Sequence, residues 1–298
     1  MSGFSADWLS LREPVDHRSR NLDLQAQVLN YLEKIKTVYP GSVHITDLGS
    51  GTGSNLRALA PHINSVQYWT LVDYDLTLLK AARSTLLAWA DSEVNTPTGG
   101  SNVNLLDTIK PISILKENKT IVVKFKCVDL FNDYQAILNE PADLITAAAF
   151  FDLVAKPWLT QFCTHLSKPL YTVLTYDGVE KWSPAEVIDA DILNAFHQHQ
   201  RTDKGFGSAL GPAATQCLEN LLRAQHFTTI CAPSPWILDH HDRALIEQLA
   251  IGTSRAVREI GSVPQTLVNQ WEKSRIQADR CEIGHVDFFS YKAYLSKS

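Results

Sequence analysis

The chain has 298 residues, 45% of them hydrophobic, which is enough to bury one substantial core and favours a single domain over residues 1–298. A formal net charge of −5 argues against a broad nucleic-acid-binding surface, so no nucleic-acid partner is expected. Five scattered cysteines without a Cys-x-x-Cys pair read as reduced thiols, not as a disulfide frame or a zinc site, and no metal is expected. The N-terminus lacks a signal peptide's apolar core and no run reaches the ~18 apolar residues of a membrane span, so a cytoplasmic protein without a membrane partner is expected.

In chain order, residues 1–40 read as a helical cover. Phe4, Trp8 and Leu11 suggest a short first helix, and Pro14 followed by Asp16 marks the start of a second over about 14–38. Leu22, Leu24, Val28, Leu29, Leu32 and Ile35 would form its apolar stripe. Strand one is 42–48. It runs into Asp47-Leu48-Gly49-Ser50-Gly51-Thr52-Gly53, where glycines at alternate positions allow a sharp strand-to-helix turn with its backbone against a ligand. A helix over about 55–60 stops at Pro61. Strand two, 67–72, ends at Asp73, where an acidic side chain can accept from both hydroxyls of a ribose.

Helix 76–91 follows, then a polar, turn-rich stretch over 92–118 that reads as a surface insertion with a short irregular segment at 112–115. Strand three, 120–128, ends at Asp129. Strand four, 142–149, leads into Phe150-Phe151-Asp152. Helix 156–167 precedes strand five, 170–178, with Tyr176 and Asp177 at the carboxyl edge of the sheet. The alternation of near-continuous apolar strands with helices is that of a parallel sheet covered on both faces.

Residues 189–199 read as a helix and 204–211 as a Gly-punctuated loop before another helix at 212–224. His197 and His199 are two apart, so they point to different helix faces and cannot be an i, i+4 metal pair. Either is a candidate general base. Arg201 and Lys204 are candidates for holding an anionic group of a substrate, with a solvated positive face as the plainer alternative. Strand six is 227–231 and the last strand lies within 283–292. Between them, 232–282 reads as a helical excursion that either shapes the substrate pocket or forms a homodimer contact.

The dinucleotide fingerprint Gly-x-Gly-x-x-Gly fits neither register, since Ser54 or Leu56 falls at its third glycine. What stands there, Asp-x-Gly-x-Gly-x-Gly, closely resembles the first motif of the class I S-adenosylmethionine (SAM) dependent methyltransferases. The resemblance spans about 42–231 plus the last strand. It implies a seven-stranded, mostly parallel α/β sheet with helices on both faces, the last strand antiparallel between the fifth and sixth. It also implies a SAM site at Asp47, Gly49, Ser50, Gly51 and Gly53. Asp73 would take the ribose, Tyr74 the adenine face, and Asp129 and Leu130 the adenine edge. Ala147 would lie close to the cofactor, and Arg18 or Arg12 would meet its carboxylate or an acidic substrate. Phe151 would wall the acceptor, and Asp152, Tyr176, His197 and His199 are candidates for moving a proton. The implied activity is methyl transfer to O, N or C of a small-molecule acceptor. The alternatives are a SAM-binding protein without transferase activity and an NAD-dependent oxidoreductase.

Overall fold

A computed structural model describes residues 4–34, 41–94 and 109–292. The N-terminal cover is α1 (Ala6–Ser19) and α2 (Leu22–Lys34). The βα units that follow are β1 (Ser42–Leu48), α3 (Ser54–Leu59), β2 (Val66–Asp73) and α4 (Leu76–Trp89). Then come β3 (Ser92–Glu93), β4 (Ile112–Lys116), β5 (Lys119–Cys127), α5 (Leu130–Asn139), β6 (Leu144–Ala148), α6 (Lys156–His165) and β7 (Leu170–Ser183). The chain continues through α7 (Asp189–Gln200), α8 (Ala214–Ala224), β8 (Thr228–Pro233), β9 (Trp236–Leu238), α9 (Arg243–Ile260), α10 (Gln265–Arg275) and β10 (Arg280–Tyr291).

One sheet runs in the order β3-β4-β5-β2-β1-β6-β7-β10-β8, with β9 also paired to β10. Five central strands, β5 to β7, are parallel, while β10 lies antiparallel between β7 and β8. The last strand is thus antiparallel between the fifth and sixth of seven main strands, as expected, with β3, β4 and β9 added at the margins. The parallel strands are buried on both faces: one core packs under the N-terminal helices, α4 and α9, the other under α5, α6 and α8. Among the described residues no helix is long and apolar enough to cross a membrane.

Four expectations are corrected. The two helices of the cover do not divide at Pro14: α1 starts at Ala6, where the Ser5 hydroxyl accepts the Trp8 N–H at 3.1 Å, and Pro14 lies inside it. The chain breaks at Arg20–Asn21 because Asn21 caps α2 through the Leu24 N–H at 3.0 Å and donates its own N–H to Asp287 at 2.8 Å. Leu24, Val28 and Leu32 are buried as the stripe requires, but Leu22 opens the new helix and is exposed; Ile35 and the expected helix end lie outside the described residues.

In the expected surface insertion, residues 95–108 lie outside the described residues, yet Ile112–Lys116 is a strand hydrogen-bonded to β5. Glu117 and Asn118 both have positive φ, 48° and 62°, the geometry of a two-residue type I′ hairpin. Ile112 and Ile114 are core residues. Ile114→Ala is therefore expected to lower unfolding free energy by about 2 kcal/mol in urea titration, whereas a solvated insertion would show almost no change. Strand five does not turn at Gly178: β7 continues to Ser183, paired along β10, with a register shift where Gly284 sits against Asp177. Finally, the excursion contains β9 as well as its two helices.

Candidate functional site

The carboxyl ends of β1 and β2 meet at the glycine-rich loop, and the end of β5 lies beside that of β2. Gly49, Gly51 and Gly53 all have positive φ (63°, 53° and 77°), a conformation that costs other residues strain. A Cβ on Gly49 would stand 2.8 Å from the Phe150 ring, and one on Gly51 would stand 3.0 Å from Leu9 of α1. The loop is thus held between the segment after β6 and the N-terminal cover. Asp73 ties it to β2: one carboxylate oxygen accepts the Gly51 N–H at 2.8 Å and the other the Asp75 N–H at 2.9 Å. Burial raises the Asp73 pKa, and these two hydrogen bonds oppose the rise. Asp75, not Asp73, caps α4.

Asp47 is fully buried and accepts the Asn55 side-chain N–H at 2.7 Å; burial pushes its pKa up to about 7, against the Asn55 bond and the charge of Arg20. Its second oxygen, the Ser50 hydroxyl and the Asn55 carbonyl oxygen are buried without hydrogen-bond partners. These three unpaired atoms stand where β1, the loop and α3 meet, a place that a polar ligand or water would complete. Asp129 caps α5 through the Phe131 N–H at 3.0 Å and is exposed, as is Tyr74. Leu130 is buried, its carbonyl accepting the Trp158 indole N–H.

The cover is fastened to this loop. Arg57 of α3 forms a forked pair with Glu13 and donates to the Thr52 carbonyl at 2.7 Å, while His17 lies 3.0 Å from the Ser54 hydroxyl. Burial lowers the His17 pKa. Arg18 is turned the other way, to Asp242 at 2.6 Å, and so is not brought to the loop. Asp242 belongs to a turn in which Asp239, His240 and His241 place ligand atoms within 4.8 Å of one another; all three are exposed and Asp239 already accepts the His241 N–H.

Beside the loop lies a cavity of about 130 Å³. Its floor is the carboxyl edge of β6 and β7 with β10: Ala149, Asp152, Tyr176, Glu180 and His285. Its roof comes from Trp8 and Arg12 of α1, Phe196 and Gln200 of α7, and Leu249 and Thr253 of α9. The same two segments serve both places: α1 gives Leu9 to the loop and Trp8 to the cavity, and the turn after β6 gives Phe150 to Gly49 and Ala149 to the cavity. Ala149, just past the end of β6, and Leu174 of the adjacent β7 hold positive φ, 49° and 57°, and both line it. Such strain, of order 1–3 kcal/mol per residue, is a mark of functional sites.

Asp152 is buried enough to push its pKa up to about 6, and one of its oxygens has no partner. The Tyr176 hydroxyl donates to Glu180 at 3.0 Å and stands 3.0 Å from His197 Nε2. Burial raises the pKa of Tyr176, and of Glu180 to about 7, while burial and Arg201 lower that of His197. Asp152, Tyr176 and His197 therefore converge. His199 does not join them: it pairs with Glu259 at 2.9 Å on another side of α7, with Lys204 3.4 Å from its other ring nitrogen. Arg201 is exposed. Phe151 is wholly buried against Phe162 in the second core, with no surface for a substrate, and Ala147 is likewise closed off within the sheet. Their neighbours differ: Ala149 lines the cavity and Phe150 packs against Gly49. Arg12 lines the cavity, but Asp16 holds its guanidinium at 2.8 and 3.2 Å.

Glu180, Gln200, Trp236 and His285 were not anticipated. Glu180 follows Tyr176 by four residues on one strand, so it would have emerged had β7 been carried past Gly178. The others come from elements distant in sequence and leave no local signal.

The fold and loop together define a class I methyltransferase-like architecture. No protein-family model and no curated protein matches the chain. Among solved structures it is similar to the YcgJ protein of Bacillus subtilis (10% identity over 92% of this chain and 100% of that one, TM-score 0.46). It is similar to the cyclopropane synthase MmaA2 of Mycobacterium tuberculosis (12%, 97% and 95%, 0.46). A third likeness is a SAM-dependent methyltransferase of Thiobacillus denitrificans in complex with S-adenosyl-L-homocysteine (12%, 96% and 98%, 0.41).

Proposed function

We propose that the chain is a SAM-dependent methyltransferase acting on a small-molecule acceptor. One observation carries this reading: the glycine-rich loop, with acidic residues at the ends of β1, β2 and β5, shares two wall segments with a neighbouring cavity. A loop that binds a nucleoside needs no second cavity, whereas a transferase needs an acceptor chamber beside its donor.

The residues present fit an adenosyl group with an amino-acid tail. Asp73 keeps a free lone pair on each carboxylate oxygen for the two ribose hydroxyls. Asp129 and the backbone at Leu130 would face the adenine edge, with Tyr74 against its face. The unpaired Ser50 hydroxyl and Asp47 oxygen are acceptors for the tail's ammonium. SAM supplies a methyl group activated by a positive sulfur, so the protein's main task is to position the acceptor behind that carbon. Orientation of this kind is worth about 7–11 kcal/mol of barrier in well-aligned systems. α1, α7 and α9 roof the cavity, and an acceptor that displaces water beneath them would meet strengthened polarising interactions. Where the acceptor must lose a proton, Asp152 is the group placed to take it, with Tyr176, Glu180 and His197 behind it.

Incubating the protein with methyl-labelled SAM and a fractionated metabolite extract tests the reading. Label is expected in a small-molecule product. Tight SAM binding without label transfer to any fraction would favour a SAM-binding protein of another kind, and NAD binding without a response to SAM would overturn the reading.

A further inference from the structure

An amino-acid tail carries a carboxylate as well as an ammonium. The two arginines expected to meet that carboxylate are engaged elsewhere, Arg18 with Asp242 and Arg12 with Asp16. Arg20, at the end of α1, has no such partner. It is only 5% exposed, its Nε and Nη1 are buried without hydrogen-bond partners, and among the described residues it forms no ion pair. A buried charge is ordinarily paired, because an unpaired one carries its full desolvation penalty.

The guanidinium is placed from several sides. Burial comes first in shifting the pKa of His17, Asp47, Tyr171 and Asp287, and the charge of Arg20 acts on all four. It therefore lies among α1, the end of β1, β7 and β10. Asp47 and Tyr171 stand in one row of the sheet, each the register partner of Thr146 on the strand between them. Their side chains thus share a face, the one the N-terminal cover overlies.

The neighbouring acids are not equally open to a ligand. Asp287 has both oxygens occupied, by the Leu174 N–H at 2.9 Å and the Asn21 N–H at 2.8 Å, and Glu13 is taken by Arg57. Asp47 keeps one oxygen unpaired, and Asn55, bonded to it at 2.7 Å, keeps its carbonyl oxygen unpaired. With the Ser50 hydroxyl these make three acceptors on the loop side, against the guanidinium's unpaired N–H groups on the cover side. The Tyr171 hydroxyl, also unpaired, can serve either. Gln25, Ser234 and Ser290 carry further unpaired oxygens, none of them hydrogen-bonded to Arg20 or Asp47.

The charges select the ligand. A bare anion such as a diphosphate would meet Arg20 but add to the negative charge of Asp47, Asp73 and Asp287. A bare cation would meet Asp47 and be repelled by Arg20. A zwitterion adds no net charge, and its ammonium brings three N–H groups to three acceptors while its carboxylate takes the guanidinium. The ammonium also favours the ionised form of Asp47, which burial opposes.

We infer that Arg20 holds the carboxylate of a zwitterionic amino-acid end whose ammonium rests on Asp47, and that this contact makes the loop selective for ligands with that carboxylate. The assignment deepens the methyltransferase reading and rests on it for the adenosyl part of the ligand.

Titration calorimetry with S-adenosylhomocysteine, decarboxylated S-adenosylhomocysteine and NAD tests it. The wild-type protein is expected to bind S-adenosylhomocysteine about tenfold or more tighter than the decarboxylated compound, the usual worth of one charge-assisted hydrogen bond. Arg20→Leu should remove that preference by weakening S-adenosylhomocysteine alone. Undiminished binding of the decarboxylated compound then shows that the variant folds, whereas a merely structural arginine would weaken both alike. Arg20→Lys, which keeps the charge, should retain part of the preference. Equal binding of the two compounds by the wild type, or a preference that survives in Arg20→Leu, would overturn the assignment and leave the methyltransferase reading standing. Binding of NAD alone, or of none of the three, would overturn both.

Discussion

Asp73→Ala is expected to weaken S-adenosylhomocysteine binding by about a hundredfold or more. Two effects add. Each ribose hydroxyl loses a charged acceptor, and such hydrogen bonds are worth about 1.5–3 kcal/mol apiece. The Gly51 N–H, now held by Asp73 at 2.8 Å, also loses its partner, so the loop is no longer fixed before the ligand arrives. Asp73→Asn keeps one oxygen acceptor and turns an amide toward a backbone donor, so about a tenfold loss is expected. Calorimetry on both variants, with circular dichroism to confirm folding, checks the order. Unchanged affinity in the alanine variant would remove Asp73 from the ribose site and leave it as a brace for the loop.

Asp152→Asn is expected to lower kcat by about 10²- to 10⁴-fold, the usual worth of a positioned general base. The pH profile separates a direct role from a structural one. The carboxyl group must be ionised to accept a proton, so kcat/KM should rise with pH through the raised pKa of about 6 and level off above it. In the Asn variant that limb should vanish. If it persists unchanged, the titrating group is elsewhere, with Glu180 (pKa pushed up to about 7) the next candidate. Stability runs the opposite way. A carboxyl whose folded pKa lies above its unfolded value of about 3.9 takes up a proton on folding. Its contribution to stability is full below the unfolded value and is lost as pH rises through the folded pKa of about 6. Asp152→Asn should therefore flatten part of the fall in stability between about pH 4 and 6.

How much of this was legible in the sequence follows from how local each signal is. Strand β1 spans the expected residues, and the glycine turn announces itself because three alternate glycines have few other uses. Asp73 stands at the end of β2 as the spacing requires. The break at Asn21 was hidden because one of the groups that fixes it, Asp287, lies 266 positions away. Strand β4 was hidden because its hairpin turns on Glu117-Asn118, without the glycine that usually marks a type I′ turn. The cavity was the least legible part. Trp8, Asp152, Gln200 and His285 come from four distant places, and only the sheet order gathers them around one space. His197 and His199 show the limit of counting along a helix: the spacing puts them on different faces, but only the position of β7 shows which one meets Tyr176.

The most direct measurement is a crystal structure of the chain grown with S-adenosylhomocysteine. The nucleoside is expected across the carboxyl ends of β1, β2 and β5, its ribose hydroxyls on Asp73, its tail beside Ser50 and Asp47, and its sulfur turned toward the cavity that holds Asp152. Density for the nucleoside at any other place, or none at the loop at saturating concentration, would contradict the assignment.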